Sequence, residues 1–149
     1  MTFERLSSEN VEEYIDYLKA AVQEEPDVLA SYVIDEEGIK SRVKGSFFNI
    51  VNILARVDGR IVGRIEYHFY GCIQDGYKMA YVDWVYVLKS YRHQGIAQKL
   101  FAEFEKDCAG KGIDEYFLIC AENAEAVSFY NNFENVKPQK APILRKQLK

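Results

Sequence analysis

A chain of 149 residues is one domain's length, long enough that folding buries most of the surface the unfolded chain exposes. Hydrophobic residues at 48% and aromatics at 14% exclude a disordered chain. A net charge of -4 argues against nucleic acid as a partner, because neutralising phosphates takes a basic face.

In chain order, residues 2–7 (TFERLS) read as a short strand, and Ser and Asn in SSEN offer N-caps to a helix with Val11, Tyr14, Ile15 and Leu18 at helical spacing. Pro26 marks a break, and residues 36–43 form a second helical patch weakened by Gly38. Residues 48–71 predict a hairpin: two β-branched runs flank Asp58-Gly59, the dipeptide suited to a type I′ turn. Residues 78–88 (KMAYVDWVYVL) follow as another strand. From Gln94 to about Cys108, the apolar positions Ile96, Leu100, Phe104 and Cys108 recur every four residues and make one helix face. Residues 115–121 (EYFLICA) have the continuous apolar pattern of a strand buried on both faces. Residues 123–132 predict a helix capped by Asn123, with Ala126, Phe129, Tyr130 and Phe133 inward, and residues 142–148 (PILRKQL) a last strand. Without repeats or linkers, residues 1–149 are expected to form one α/β domain around a mixed sheet.

The three cysteines, Cys72, Cys108 and Cys120, share no metal-type spacing and have only two histidines to help them, so buried free thiols and no metal are expected. No apolar run approaches the ~20 residues that span a bilayer, and the N-terminal residues lack a signal peptide's order of basic then apolar segments. The expectation is a cytoplasmic protein without a membrane partner.

The segment VYVLKSYRHQGIAQKLF, residues 85–101, carries the first functional signal. A strand that turns into a helix start leaves backbone N–H groups without intrahelical partners, and the helix dipole adds positive potential there. Such a site suits an anion. Gly95 allows close approach to the main chain, Ala97 is small, and Lys89, Arg92 and His93 bias the surroundings toward phosphate. An ordinary strand-helix turn with a solvated basic edge fits the same residues. Neither the P-loop pattern nor Gly-X-Gly-X-X-Gly is present.

These residues resemble the GNAT superfamily of acetyl-CoA-dependent N-acetyltransferases. Its Arg/Gln-X-X-Gly-X-Gly/Ala hallmark is met by Arg92, His93, Gln94, Gly95, Ile96 and Ala97, and its Asn-X-X-Ala-X-X-X-Tyr by Asn123, Ala126 and Tyr130. The resemblance is strong over residues 78–133. It implies a mostly antiparallel central sheet with a parallel, splayed strand pair and flanking helices. It also implies that amides from Arg92 through Ala97 cradle the coenzyme A pyrophosphate, and that the strand at Val85 and Val87 pairs with the pantetheine arm. By the same resemblance Asn123 bonds the cofactor, and Tyr130 lies near the thioester sulfur. Helix capping by Asn123 and a core role for Tyr130 are the plain alternatives. The chain departs from the family in having Glu134-Asn135 where a Gly-Phe pair is frequent, and Leu88-Lys89-Ser90 where a proline is frequent.

The chemistry suits a phenol. An amine attacking a thioester passes through an oxyanion and expels a thiolate, which a tyrosine can protonate at a cost of about 2 kcal/mol on ordinary pKa values. A lysine-like acceptor must give up its own proton, at about 4 kcal/mol near neutral pH. Asp83 is one candidate base, as a charge in an otherwise apolar strand. Period-2 alternation puts it on the face of Val85 and Val87, about 13 Å along the strand from Val87. Glu66, on the same strand face as His68, is the other; no protein base at all, or ion pairs to Arg64 or Arg60, are the alternatives.

The expected acceptor is a small-molecule or peptide amine. An aromatic, acidic mouth of Tyr14, Tyr17, Tyr32, Phe47 and Phe48 with Glu24, Glu25, Asp35, Glu36 and Glu37 would suit a cation, and a solvated acidic face reads equally well. Assembly as a homodimer stays open. A non-catalytic acyl-CoA sensor or adaptor module is the rival to an enzyme.

Overall fold

The computed structural model describes residues 1–26, 33–45 and 47–148. The chain divides into two compact units, Met1–Ile119 and Cys120–Lys149.

The first unit is built on a five-stranded sheet whose strands lie side by side in chain order: β1 (Thr2–Arg5), β2 (Ile50–Val57), β3 (Arg60–Gly71), β4 (Lys78–Val87) and β5 (Glu115–Leu118). The first three junctions are antiparallel and the last is parallel. A parallel junction needs a crossover, supplied by α3 (Ile96–Lys111). The β2–β3 hairpin turns at Asp58 and Gly59, both with positive φ (48° and 78°), as a type I′ turn requires.

The odd and even positions of β3 face different helices. Gly63, Ile65 and Tyr67 look toward α3: a Cβ on Gly63 would stand 3.5 Å from the Ile96 side chain, and the Tyr67 and Phe104 rings are 4.7 Å apart. Arg64 and Glu66 look toward α1 (Val11–Glu24), where Arg64 Nη1 donates to the Tyr14 hydroxyl. As its spacing predicts, α3 buries Ile96, Leu100, Phe104 and Cys108, together with Phe101. Each such side chain contributes about 1.5–3 kcal/mol on full burial. α1 buries Val11, Tyr14, Ile15, Tyr17 and Ala21, with Leu18 half-buried. Asn10 starts α1 without capping it. Its amide donates to Arg5 O and its oxygen accepts from Ser7 N, which pins the turn out of β1. α2 (Glu36–Lys44) keeps its helix despite Gly38 because Asp35 Oδ1 accepts from the Gly38 N–H at 3.0 Å.

In the second unit, α4 (Ala124–Tyr130) is capped by Asn123, whose Oδ1 accepts from Ala126 N at 2.9 Å. Ala126, Phe129, Tyr130 and Phe133 are its half-buried positions, and the last three rings touch.

Three expectations are corrected. Residues 142–148 form no strand. β5 is an edge strand of four residues with Phe117 43% exposed, so its apolar run is not buried on both faces. Of the cysteines, all free, only Cys108 is buried; burial, with Asp107 and Glu105 nearby, pushes its thiol up to about 11. No helix among the described residues is long and apolar enough to cross a membrane.

Candidate active site

The turn after β4 delivers an unusual helix start. A 3-10 turn at Lys89–Tyr91 leads to His93 and Gly95, both with positive φ (59° and 74°), and Gly95 is the N-cap of α3 without any side-chain cap. The first helical bond at this end runs from Lys99 N to Gly95 O, so the amides of Ile96, Ala97 and Gln98 point out of the helix as donors. A Cβ on Gly95 would meet nothing within 4 Å, which leaves the approach to those donors open. Main-chain donors, a helix dipole and open space fit a phosphate group of coenzyme A.

The basic side chains do something else. Arg92 Nε donates to Val87 O at 3.0 Å, its Nη2 donates to Glu25 Oε1 at 2.9 Å, and its guanidinium lies 5.2 Å from the Tyr86 ring centre. Lys89 Nζ donates to Glu24 O and stands 3.5 Å from Glu25 Oε1, while Lys89 N donates to Glu24 Oε2. Thus Arg92 and Lys89 clamp the cradle loop to the end of α1 instead of lining the anion site. Glu24 and Glu25 sit 64 to 67 residues away in sequence from these partners, so no local pattern could have shown the clamp. Gln94 likewise bonds back to Ser90 O, at 3.3 Å. The cradle is therefore a main-chain site.

Next to the cradle, β4 offers an open edge. Its ladder with β5 runs from Met79↔Glu115 to Val82↔Leu118 and stops, so Trp84 to Val87 have only β3 as a ladder neighbour among the described strands. Leu88 N donates to Val62 O, and antiparallel alternation from that rung turns the N–H and C=O groups of Val85 and Val87 away from β3. An extended ligand bearing amides can add there as a strand would.

The face assignment of Asp83 is corrected by a bulge. Glu66 pairs with Trp84 but Tyr67 pairs with Val82, so Asp83 is an extra residue in β4. The bulge turns Asp83 and Trp84 to one face: Asp83 Oδ2 lies 3.7 Å from His68 Nε2, and Trp84 lies under the Arg64 guanidinium at 5.6 Å. Val85 and Val87 stay opposite Ile65 and Gly63 on the α3 face. Asp83 is exposed, not an isolated buried charge.

Glu66 joins a network that sequence reading missed. Its Oε2 accepts from Asn52 Nδ2 at 2.6 Å and from Arg64 Nη1 at 3.2 Å, and both donors also reach the Tyr14 hydroxyl, at 3.3 and 2.6 Å. Burial raises the Tyr14 hydroxyl above its ordinary value against the pull of Arg64. The ion pair with Arg64 is thus realised, and Glu66 is brought onto the His68 face as expected. Asn52 in mid-strand was the one available signal, since a buried polar side chain in a ladder asks for partners.

The acidic mouth is not assembled. Glu24 and Glu25 hold the cradle, Glu36 pairs with Lys19, Glu37 with Lys40 and Asp35 with Arg42. Tyr14 and Tyr17 are buried, and the Tyr17 hydroxyl donates to Tyr86 O at 2.9 Å. Phe47 and Phe48 are exposed, and Tyr32 lies outside the described residues. In the second unit, burial, then Cys120, pushes the Tyr130 hydroxyl up to about 12, so it keeps its proton at neutral pH.

Solved structures that share the fold include the following three. An aminoglycoside acetyltransferase, meta-AAC0020, from an uncultured soil metagenomic sample superposes with a TM-score of 0.83 at 19% identity, covering 99% of this chain and 96% of that one. The ribosomal-protein-alanine N-acetyltransferase from Brucella melitensis biovar Abortus 2308 gives 0.76 at 17% identity, over 98% and 100%. The aminoglycoside N-acetyltransferase AAC(6')-Iy in complex with CoA gives 0.70 at 16%, over 98% and 99%. No curated protein sequence matches the chain. The model of the acetyltransferase (GNAT) family matches residues 6–133, spanning the open β4 edge, the Gly95 cradle and Tyr130. The chain belongs to the GNAT family of acetyltransferases.

Proposed function

We propose that this acetyltransferase moves an acetyl group from acetyl-CoA to a primary amine of a small molecule or peptide by direct attack on the thioester. The observation that carries the reading is the uncapped helix start at Gly95 beside the β4 edge that β5 leaves uncovered at Val85, with Val87 O held by Arg92: two kinds of main-chain group suited to one ligand with phosphate and amide groups. Acetyl-CoA, bound there, supplies the activated acetyl group. The amides of Ile96, Ala97 and Gln98 would hold its phosphates, and the main chain of Val85, with the Val87 N–H, would hold its amides. Asn123 stiffens the start of α4 by capping it. The family motif assigns Tyr130 as proton donor to the departing sulfur; with its hydroxyl near 12, that transfer costs about 5 kcal/mol against an ordinary thiol, more than an unshifted phenol would need. Glu66 and Asp83 are the carboxylates offered to the amine.

Amine acceptors are in keeping with similar proteins named for aminoglycosides and for a ribosomal-protein alanine. The test is thiol release from acetyl-CoA with a panel of amines. Release that depends on the amine and falls roughly 10²-fold or more in Tyr130→Phe supports the reading. Saturable acetyl-CoA binding without release from any amine would instead make the chain an acyl-CoA sensor.

A further inference from the structure

We infer that His68, positioned by Asp83, is the group that takes the proton from the acceptor amine. The inference rests on the acetyl-transfer reading and adds to it a residue that the family motifs do not contain.

Geometry points there. The open edge of β4 runs from Val87, beside the cradle, back to Asp83, where the β5 ladder ends. The bulge lies at that far end of the edge, about 13 Å along the strand from Val87. Inserting one residue costs a ladder its regularity, and bulges recur where a side chain must be re-aimed. Here the insertion swings Asp83 off the Val85 face and onto the face of His68, with Oδ2 at 3.7 Å from Nε2. His68 is in turn stacked on Tyr81, ring centres 5.9 Å apart and planes at 10°. Both members of the pair reach solvent, with side chains 31% and 38% exposed, so a substrate can meet them.

The neighbouring ionisable groups favour the imidazole over Glu66. On this face they are Glu66 and Tyr70 from β3, Tyr81 and Asp83 from β4, and Tyr14 of α1 bonded to Arg64. Glu66 is half-committed, its Oε2 taken by Asn52 and Arg64. A carboxylate is also a poor acceptor for an amine proton near pH 7, whereas imidazole is the side chain that changes charge between pH 5 and 8. With Nε2 turned to Asp83, Nδ1 takes the proton as the N–H bond of the ammonium breaks. The amine's freed electron pair forms the new C–N bond while the C–S bond breaks, the thiolate takes a proton from Tyr130, and the second proton leaving the nitrogen passes through solvent to restore the Tyr130 hydroxyl. The imidazolium, paired with Asp83, returns its proton to solvent.

The test is the pH dependence of kcat/KM for thiol release in wild type, His68→Gln, Asp83→Asn and Glu66→Gln, with imidazole titration by NMR. Only His68 and His93 contribute imidazole signals, and His93→Gln separates them. The expected result is a fall of roughly 10²-fold in kcat with loss of the acidic limb in His68→Gln, partly restored by added imidazole. Asp83→Asn should move that limb and the His68 titration together, and Glu66→Gln should raise KM and leave the limb in place. An unchanged limb in His68→Gln, or a His68 titration indifferent to Asp83→Asn, overturns the inference while wild-type turnover keeps the acetyl-transfer reading. A wild type that releases no thiol with any amine overturns both.

Discussion

The two halves of β4 have the same kind of sequence and opposite uses. Met79 to Val82 lie between β3 and β5 and spend their main-chain groups on both neighbours. Beyond the Asp83 bulge, Trp84 to Val87 have β3 as their one ladder neighbour, and their other edge leads straight to the uncapped start of α3. The closed half anchors the sheet. The open half keeps main-chain donors and acceptors for a ligand, and the Asp83 bulge marks the boundary. α2 and α4, by contrast, satisfy their first turns with Asp35 and Asn123. α1 also starts without a side-chain cap, so what sets the Gly95 start apart is its positive φ and the open space beside it, at a cost of about a few tenths of a kcal/mol for glycine in place of a capping side chain.

Variants in the open half should change affinity more than stability, and variants in the closed half the reverse. The largest effect is expected from Gly95→Glu, which sets a carboxylate among the cradle donors. Coenzyme A affinity should fall roughly a hundredfold, about 3 kcal/mol. Stability should fall only by the cost of a positive-φ side chain, about 1–2 kcal/mol, because nothing crowds the new Cβ. Calorimetry and denaturant unfolding measure the two separately.

Next comes Asp107, below the last doubly paired rung, where Tyr67 faces Val82. The Tyr67 hydroxyl donates to Asp107 Oδ2 at 2.7 Å, and Arg5 and Lys111 flank the carboxylate. Asp107→Ala should cost about 1–3 kcal/mol by leaving that hydroxyl without its acceptor, with coenzyme A affinity unchanged. Burial alone would raise the Asp107 carboxyl, but Lys111, Tyr67 and Arg5 hold it below its ordinary value. Its contribution is therefore full above the unfolded value near ~3.9 and is lost as pH falls through the lower folded value. Unfolding followed from pH 7 to pH 2 should show a smaller acid loss in Asp107→Asn than in wild type.

The smallest effect belongs to Gly63→Ala. The added methyl would sit 3.1 Å from Val87 Cγ2 and 3.2 Å from Tyr86 O, pressing on the open half from behind. A loss of about 1 kcal/mol in stability, with a few-fold loss of coenzyme A affinity, would show that Val87 is positioned through this contact. An affinity change without any stability change would sharpen the division between the two halves further.

What could be read from sequence was local. The Asp58-Gly59 turn, the α3 face and the Gly95 helix start each lie within one run of residues, and each appears where the pattern puts it. The bulge was hidden because strict alternation gives no sign of an inserted residue, so Asp83 was placed on the wrong face. The clamp of Lys89 and Arg92 to Glu24 and Glu25 was hidden because its partners meet only in the fold, and the same pairing dissolved the acidic mouth. Asn52 and Arg64 belong to the same class, since each finds its meaning across strands or against α1.

Calorimetric titration with acetyl-CoA, with coenzyme A and ATP as controls, on wild type and Gly95→Glu, tests the central claim most directly. Saturable binding of acetyl-CoA and coenzyme A over ATP, lost in Gly95→Glu, is the expected result. Equal affinity in the two proteins would contradict the main-chain cradle.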